Sequence, residues 1–464
     1  MAFSSPLLKQ IVPGIILLLF TLRALEPKID EDTWWHLRVG EEIFSTRHFP
    51  EFDSFSQVGF EEHRPWIAYS WLYETLLFTA FRTFDLEGIL LLRWVLVLLV
   101  FVSWSRLLFR QVETPVHLLL YFLGMLAILP MMSAERPWHL TLLGMALLLT
   151  QLETAKLRSS LRTRGNVLLI FVLWSNLHIQ FVLGLGILML HCLSAILKKE
   201  ECRARVILLL IAFLGTFVNP YHFRLYGVVW EYATQLAPLS LVAELRPPQW
   251  GLWFNQILLF LLALGLIQIV RRGVALGELS LWLAGAFFSL RMQRDFWFGV
   301  LISMFLCLRA ETRPERDADD RQPNWMVLSI ASFGLFLALL LNPWRTPLRE
   351  VQERYYPFTA LEKIRERNLS GPIFNEFNWG GFLIFHLREM PVSIDGRTNL
   401  YGDERMIRSF ATWAALPGWE RDPDLRQAKL ILGPKTQRLT EILLEDARWK
   451  VLFEDDQGVL FSRD

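Results

Sequence analysis

Apolar and polar positions alternate in long blocks through most of the chain, and the rhythm changes near residue 343. Apolar runs lie near 8–25, 86–106, 115–132, 138–154, 165–177, 179–197, 205–219, 252–270, 276–290, 296–309 and 325–341. Each reads as a helix able to cross a membrane, although several are short for a ~30 Å hydrocarbon core, which takes about 20 helical residues. The apolar stretch from Trp71 to Phe84 carries Glu74 and Arg82 and is read as a helix lying on the membrane surface. From about 343 to 464 the blocks shorten and turn residues appear. There, TALEKIRERN reads as a helix, and GPIFNEF and PVSIDGR as short strands flanking a GGFLIFHL helix. RQAKLILGP follows as a strand, LTEILLEDAR as a helix, and WKVLFEDDQGVLFSR as a hairpin turning at Asp456-Gln457-Gly458.

Composition agrees with this pattern. Apolar residues make up 53% of the 464 and charged residues only 20%, too little polar surface for a soluble protein of this length. The expected class is a polytopic α-helical membrane protein of about 11 spans with a small C-terminal α/β domain. The membrane part would cover 1–342, with a first extracytoplasmic loop at 26–70, and the soluble part 343–464. The 19 tryptophans suit the bilayer interfaces. Cys192, Cys202 and Cys307 have no metal-ligand spacing, so neither a disulfide framework nor a zinc site is expected. The N-terminal apolar run lacks a small-residue cleavage motif and reads as a retained anchor. No nucleic-acid partner is expected.

Charge fixes the sidedness. Basic clusters occur at Lys156, Arg158, Arg162 and Arg164, and at Lys198, Lys199, Arg203 and Arg205. Others stand at Arg271 and Arg272, at Arg309, Arg313 and Arg316, and more weakly at Arg106 and Arg110. Eleven crossings, with 71–84 left out, put all of them in the cytoplasm, as the positive-inside rule requires. The N-terminus is then cytoplasmic and the C-terminal domain extracytoplasmic. The opposite face collects Asp30, Glu31, Asp32 and His36; Glu135 and Arg136; Asn176 and His178; Asn219, Tyr221 and His222; Glu244 and Arg246; and Arg291, Arg294 and Asp295. Ordinary loop charges and helix ends would account for any one of these. Six loops of matching chemistry on one face point to a site, because ionisable groups at membrane depth are costly.

The segment DEDTWWHLRVGEEIF opens the first outer loop. Asp32, Trp34, Trp35, His36, Gly40 and Ile43 follow a helical pattern, with Asp32 at the N-cap position. Asp32 is either only a cap or a base facing an acceptor hydroxyl or amine, a role worth about 10²–10⁴-fold in rate. This acidic opening, with a small and an apolar residue following at helical spacing, resembles the GT-C superfamily of membrane glycosyltransferases, which includes the protein mannosyltransferases and the aminoarabinose transferase of lipid A. Interfacial helices at Glu41–Arg47 and Trp71–Phe84, and Arg93 early in the next span, are similar to that family's arrangement. WSNLHIQFVLGLG, FVNPYHFRLYG, AERPWHLTLLGMALLLTQLE, NWGGFLIFHL and VSIDGRTNLYGD look like patterns in uncharacterised bacterial GT-C-like proteins. The superfamily commonly shows adjacent Asp-Glu, whereas here Thr33 follows Asp32 and Asp30-Glu31 precede it.

The resemblance implies a cell-membrane enzyme, the bacterial inner membrane being its expected location. It would move a sugar from a polyprenyl-phosphate donor to an extracytoplasmic glycan, lipid or protein, with inversion. Asp32 aligns with the catalytic aspartate, with Asp30 as the alternative and Asp53 as a second acid. The departing lipid phosphate calls for guanidinium or imidazole, supplied by Arg136, His178, His222, Arg291 and Arg294. Glu31, His36, Glu135, Asn176 and Tyr221 are candidates for the surrounding site. No cofactor is required, although Asp30 and Asp32 offer oxygen ligands for a divalent cation such as Mg²⁺ or Mn²⁺. Asp395-Gly396-Arg397 and Tyr401 read as a structural turn in preference to a ligand contact, and GGF lacks the context of a nucleotide loop. The alternatives are a transporter, disfavoured by the lack of an inverted repeat, and a non-catalytic assembly subunit.

Overall fold

The computed structural model describes residues 6–154, 160–309 and 323–463. Lys156, Arg158, Arg313 and Arg316, invoked above for sidedness, lie outside the described residues. Each of the expected apolar runs falls largely on a helix. Among the described residues, four helices are long and apolar enough to cross a membrane: Leu7–Ala24, Trp71–Phe109, Pro115–Ser133 and Trp253–Arg271. Phe181–Leu197 and Trp325–Leu340 are apolar but shorter. The other expected spans are helices of 13 to 17 residues, so the helices are found but a count of eleven crossings is not established by their lengths.

Packing divides the chain into two compact units, and the division differs from a cut at 342/343. Met1–Glu26, Leu90–His222 and Glu244–Arg345 form the first, while Pro27–Ile89, Phe223–Ala243 and Thr346–Asp464 form the second. The segment after the first helix thus packs with the C-terminal segment, to which sequence distance alone gives no clue.

The first unit is a helix bundle around Phe296–Leu308, every residue of which is buried. A helix apolar on all sides is stable only when enclosed. Small residues permit close approach: Gly285 faces Gly299, and Gly124 lies against Met304. Outer helices show the opposite pattern. Leu7, Ile11, Ile15, Leu18 and Leu22 form an exposed apolar stripe on the first helix, as lipid contact would require. A buried ion pair ties the bundle to that helix. Arg93 bonds Glu135, both fully buried, and donates to the carbonyl of Glu26 at 2.6 Å. The arginine read as a family feature therefore anchors the end of the first helix.

The second unit begins with the helix Thr33–Thr46. Gly40 lets it lie directly on the segment starting at Trp71, since a Cβ there would come within 2.7 Å of the Glu74 carbonyl carbon. That segment is separate from the following span: the helix breaks at Phe84 and Asp85, where Asp85 has φ 53°. Both expected helices are present, the first starting at Thr33 and not at Glu41, and a short helix, Gln57–Glu62, lies between them.

Four strands form the C-terminal sheet: β1 (Ile373–Asn375), β2 (Leu430–Pro434), β3 (Trp449–Glu454) and β4 (Gly458–Arg463), in the order β1-β2-β4-β3. β1 and β2 run parallel; β4 pairs antiparallel with β2 and with β3, forming the expected hairpin. The helix Arg438–Glu445 buries Leu439 and Leu443 on the sheet, against Ile431, Val459, Phe461 and Trp413. PVSIDGR is not a strand. It makes single bridges from Val392 to Ile373 and to Ser56. The Asn375 side chain replaces the ladder beyond, accepting from Ser393 N at 2.9 Å and donating to Ile394 O at 2.8 Å.

Candidate functional site

In the second unit, the acidic opening folds into a turn. Asp30 Oδ1 accepts from the Asp32 backbone N–H at 3.0 Å, and Glu31 pairs with Lys28 at 2.7 Å. Asp32 occupies the N-cap position, but its side chain makes no capping bond. Its carboxylate lies instead beneath Gly396, so close that a Cβ on Gly396 would overlap Oδ1 and come within 2.8 Å of Cγ. The same Cβ would stand 3.3 Å from Trp35 Nε1. That indole N–H is buried and has no hydrogen-bond partner among the described residues. Tyr69 is also nearby. Burial first, and then the charge and hydrogen bond of Tyr232 at 2.8 Å, hold its hydroxyl well above the usual phenol range, with Asp32 acting in the same direction.

His36 points away from solvent. Its Nδ1 meets Glu74 at 3.0 Å, both side chains are buried, and its ring lies against Trp35. It fastens the Thr33–Thr46 helix to the helix beneath. Asp53 is fully engaged: it accepts from Phe55 N, Ser56 N and the Ser56 hydroxyl, and it takes Arg397 Nη1 at 2.7 Å. Arg397 is held on its other side by Asp395, at 2.9 and 2.8 Å, and lies over the rings of Trp66 and Phe55. The Tyr401 hydroxyl donates to the same Asp395. Burial would lower the Arg397 pKa, but the two carboxylates outweigh it and hold the guanidinium charged. Asp395-Gly396-Arg397 is therefore an internal turn, and what it encloses is Asp32.

Glu376 attracted no attention in the sequence. It is buried at the start of the GGF helix, and burial pushes its carboxyl up to about 7. The charge of Glu31 acts in the same direction, against hydrogen bonds from Asn378 and Trp379 N–H.

In the first unit, bonds between loops gather most of the phosphate candidates. Gln180 donates to the buried Asp295 at 3.0 Å, joining the turn after His178 to the turn carrying Arg294. Gln293 N donates to Arg246 O at 2.7 Å, joining that turn to the 244–246 segment. Arg136 and Arg294 each stand 3.7 Å from Glu244 Oε1, which is half-exposed. His178 is oriented by Thr141 at 2.7 Å, which also accepts from Trp174 Nε1. Asn176 donates to Val218 O at 2.7 Å and closes the loop before Tyr221. Tyr221 is buried, and its N–H is held by Asn219. His222 lies apart from this cluster, exposed, with Nδ1 at its own loop carbonyl, Phe217 O. Arg291 closes the helix Leu276–Arg291 and is partly buried. Glu135 is committed to Arg93. Among the described residues, no group of three or more His, Cys, Asp or Glu is arranged to hold a metal ion.

No family model matches the chain, and no curated protein matches it. Among solved structures it is similar to the oligosaccharyltransferase of Archaeoglobus fulgidus, crystallised with Zn and sulfate. That likeness is at 12% identity and a TM-score of 0.45, over 90% of this chain and 68% of the other. A likeness at this level says nothing about substrate or chemistry.

Proposed function

We propose that the chain is a membrane glycosyltransferase. It moves a sugar from a polyprenyl-phosphate carrier to an extracytoplasmic acceptor, with Asp32 as general base. The acceptor hydroxyl gives its proton to Asp32 as its oxygen bonds the anomeric carbon. The bond from that carbon to the phosphate oxygen breaks, the electron pair leaves with the lipid phosphate, and the configuration inverts. Asp53 is locked onto Arg397 in the interior, whereas the Asp32 carboxylate stands at the head of its helix beside the Trp35 indole N–H. That placement favours Asp32 as the base.

The observation carrying the proposal is the pair Arg136 and Arg294. They come from separate loops of an apolar bundle and converge on one half-exposed carboxylate oxygen of Glu244. Two guanidinium groups around one anionic group suit a monophosphate, which Glu244 would yield to when the donor enters. His178, close enough to feel the Arg294 charge and oriented by Thr141, adds an imidazole as a hydrogen-bonding group beside them.

Binding of undecaprenyl phosphate to the purified full chain tests this. Arg136→Gln and Arg294→Gln should each weaken it about tenfold or more, since a charge-assisted bond contributes roughly 1.5–3 kcal/mol. Unchanged affinity in both variants would remove the phosphate site. An assembly subunit or a transporter of this architecture would be indifferent to Asp32→Asn, whereas the enzyme should lose transfer.

A further inference from the structure

We infer that the Asp395-Gly396-Arg397 turn of the C-terminal segment is part of the Asp32 site, with Gly396 and Arg397 as positioning residues for the base. This rests on Asp32 being the base and adds what sets its geometry. Three observations converge on it.

The first is steric. Gly396 is the roof over the Asp32 carboxylate, and any side chain there would occupy the space of Oδ1. Its backbone is not in the left-handed region, so conformation does not demand glycine at this position. Close approach to Asp32 does.

The second is the anchoring of that roof. Arg397 follows Gly396 directly and is fixed from both sides, by Asp395 and by Asp53 of the first loop, with all three side chains fully buried. Tyr401 adds a hydroxyl to Asp395. A planar guanidinium bound at three of its nitrogens has little freedom to turn, so the preceding glycine is held in register with the loop that carries Asp32.

The third is the unmatched donor beside it. Trp35 Nε1–H, buried and without a partner among the described residues, lies next to the same glycine. A buried donor left unpaired carries a desolvation cost. Here it is poised to bond a group that approaches the Asp32 carboxylate beside Gly396, such as an acceptor hydroxyl. Placement of the base by rigid neighbours matters because a misplacement near 1 Å can cost about 10²-fold in rate.

The test uses the full chain in detergent, with synthetic polyprenyl-phosphoryl-mannose and polyprenyl-phosphoryl-glucose as donors, water as acceptor and released sugar as the signal. Gly396→Ala should lower kcat about 10²-fold while the donor KM and thermal stability hold, because the lost interaction belongs to the transition state. The acid limb of its pH–rate profile should move, since the added methyl changes the surroundings of the Asp32 carboxylate. Gly227→Ala, at a helical glycine with open space around it, is the control and should behave as the native chain. Should Gly396→Ala not accumulate, Tyr401→Phe removes only the hydroxyl bracing Asp395 and should lower kcat severalfold at constant KM. Native kcat in Gly396→Ala, or in Tyr401→Phe if that variant is needed, alongside an inactive Asp32→Asn, would overturn the inference and leave the base assignment standing. Full activity in Asp32→Asn, or no turnover of either donor by the native chain, would overturn the base assignment and the inference with it.

Discussion

Replacing Arg397 by Met should be among the most damaging single changes in the second unit. The native guanidinium makes bonds of 2.9 and 2.8 Å to Asp395 and 2.7 Å to Asp53, and none of the three side chains is exposed. Methionine fills a similar volume but leaves two carboxylates buried without a cation. Breaking a buried pair in this way costs about 3–5 kcal/mol, most of it from the stranded charge. In a unit of this size that corresponds to a fall in Tm of roughly 6–20 °C. The measurement is thermal unfolding of the full chain in detergent, followed by tryptophan fluorescence at a fixed scan rate because such unfolding is often irreversible. Adding Asp53→Asn and Asp395→Asn to Arg397→Met removes the stranded charges and should restore a large part of the loss. A Tm for Arg397→Met within about 2 °C of native would mean the cluster is not a stabilising lock. Failure of the two Asn changes to rescue would show that packing, not charge, is what the arginine supplies.

Glu376 should give a pH signature. Its folded-state pKa is raised, by burial foremost, to about 7, so the protonated form is preferred in the folded chain. The stability it contributes is fully present below about 4.5 and is lost as pH rises through about 7. The loss amounts to about 3 kcal/mol at most. Glu376→Gln should flatten the Tm profile between those limits, and an unaltered slope would clear Glu376 of the effect. Gly40→Ala should destabilise by about 1–3 kcal/mol, because the new methyl meets the Glu74 backbone and lies 2.9 Å from Phe78 Cβ. Native Tm in that variant would show that the two helices can separate without cost.

The helical runs were legible because each buries or exposes a long apolar surface, and the 71–84 helix was legible as a piece apart because Glu74 and Arg82 interrupt one. Its physical boundary, the backbone reversal at Phe84 and Asp85, leaves no comparable mark in composition. The hairpin at the C-terminus was plain from its turn residues. PVSIDGR was misleading: its alternation suits a strand, but backbone pairing stops at single bridges from Val392, and beyond them the side chain of Asn375 takes the place of a ladder. Asp32 could be picked out by its place at the head of a helical pattern. Its neighbour Gly396 could not, since the contact joins distant parts of the sequence and glycine has no side chain to advertise it. Asp53 looked like a second acid until its partner Arg397, equally remote along the chain, was seen beside it.

The central claim is that the Asp32 carboxylate and the Arg294 guanidinium both face the outer side of the membrane, where the lipid-linked donor is used. Cysteine labelling tests this directly. After replacement of Cys192, Cys202 and Cys307, the single variants Asp32→Cys and Arg294→Cys are treated in intact cells with a membrane-impermeant maleimide. Both positions should react from outside, and saturating undecaprenyl phosphate should slow the reaction at position 294. Reaction of one from outside and the other only after the cells are opened would contradict the claim.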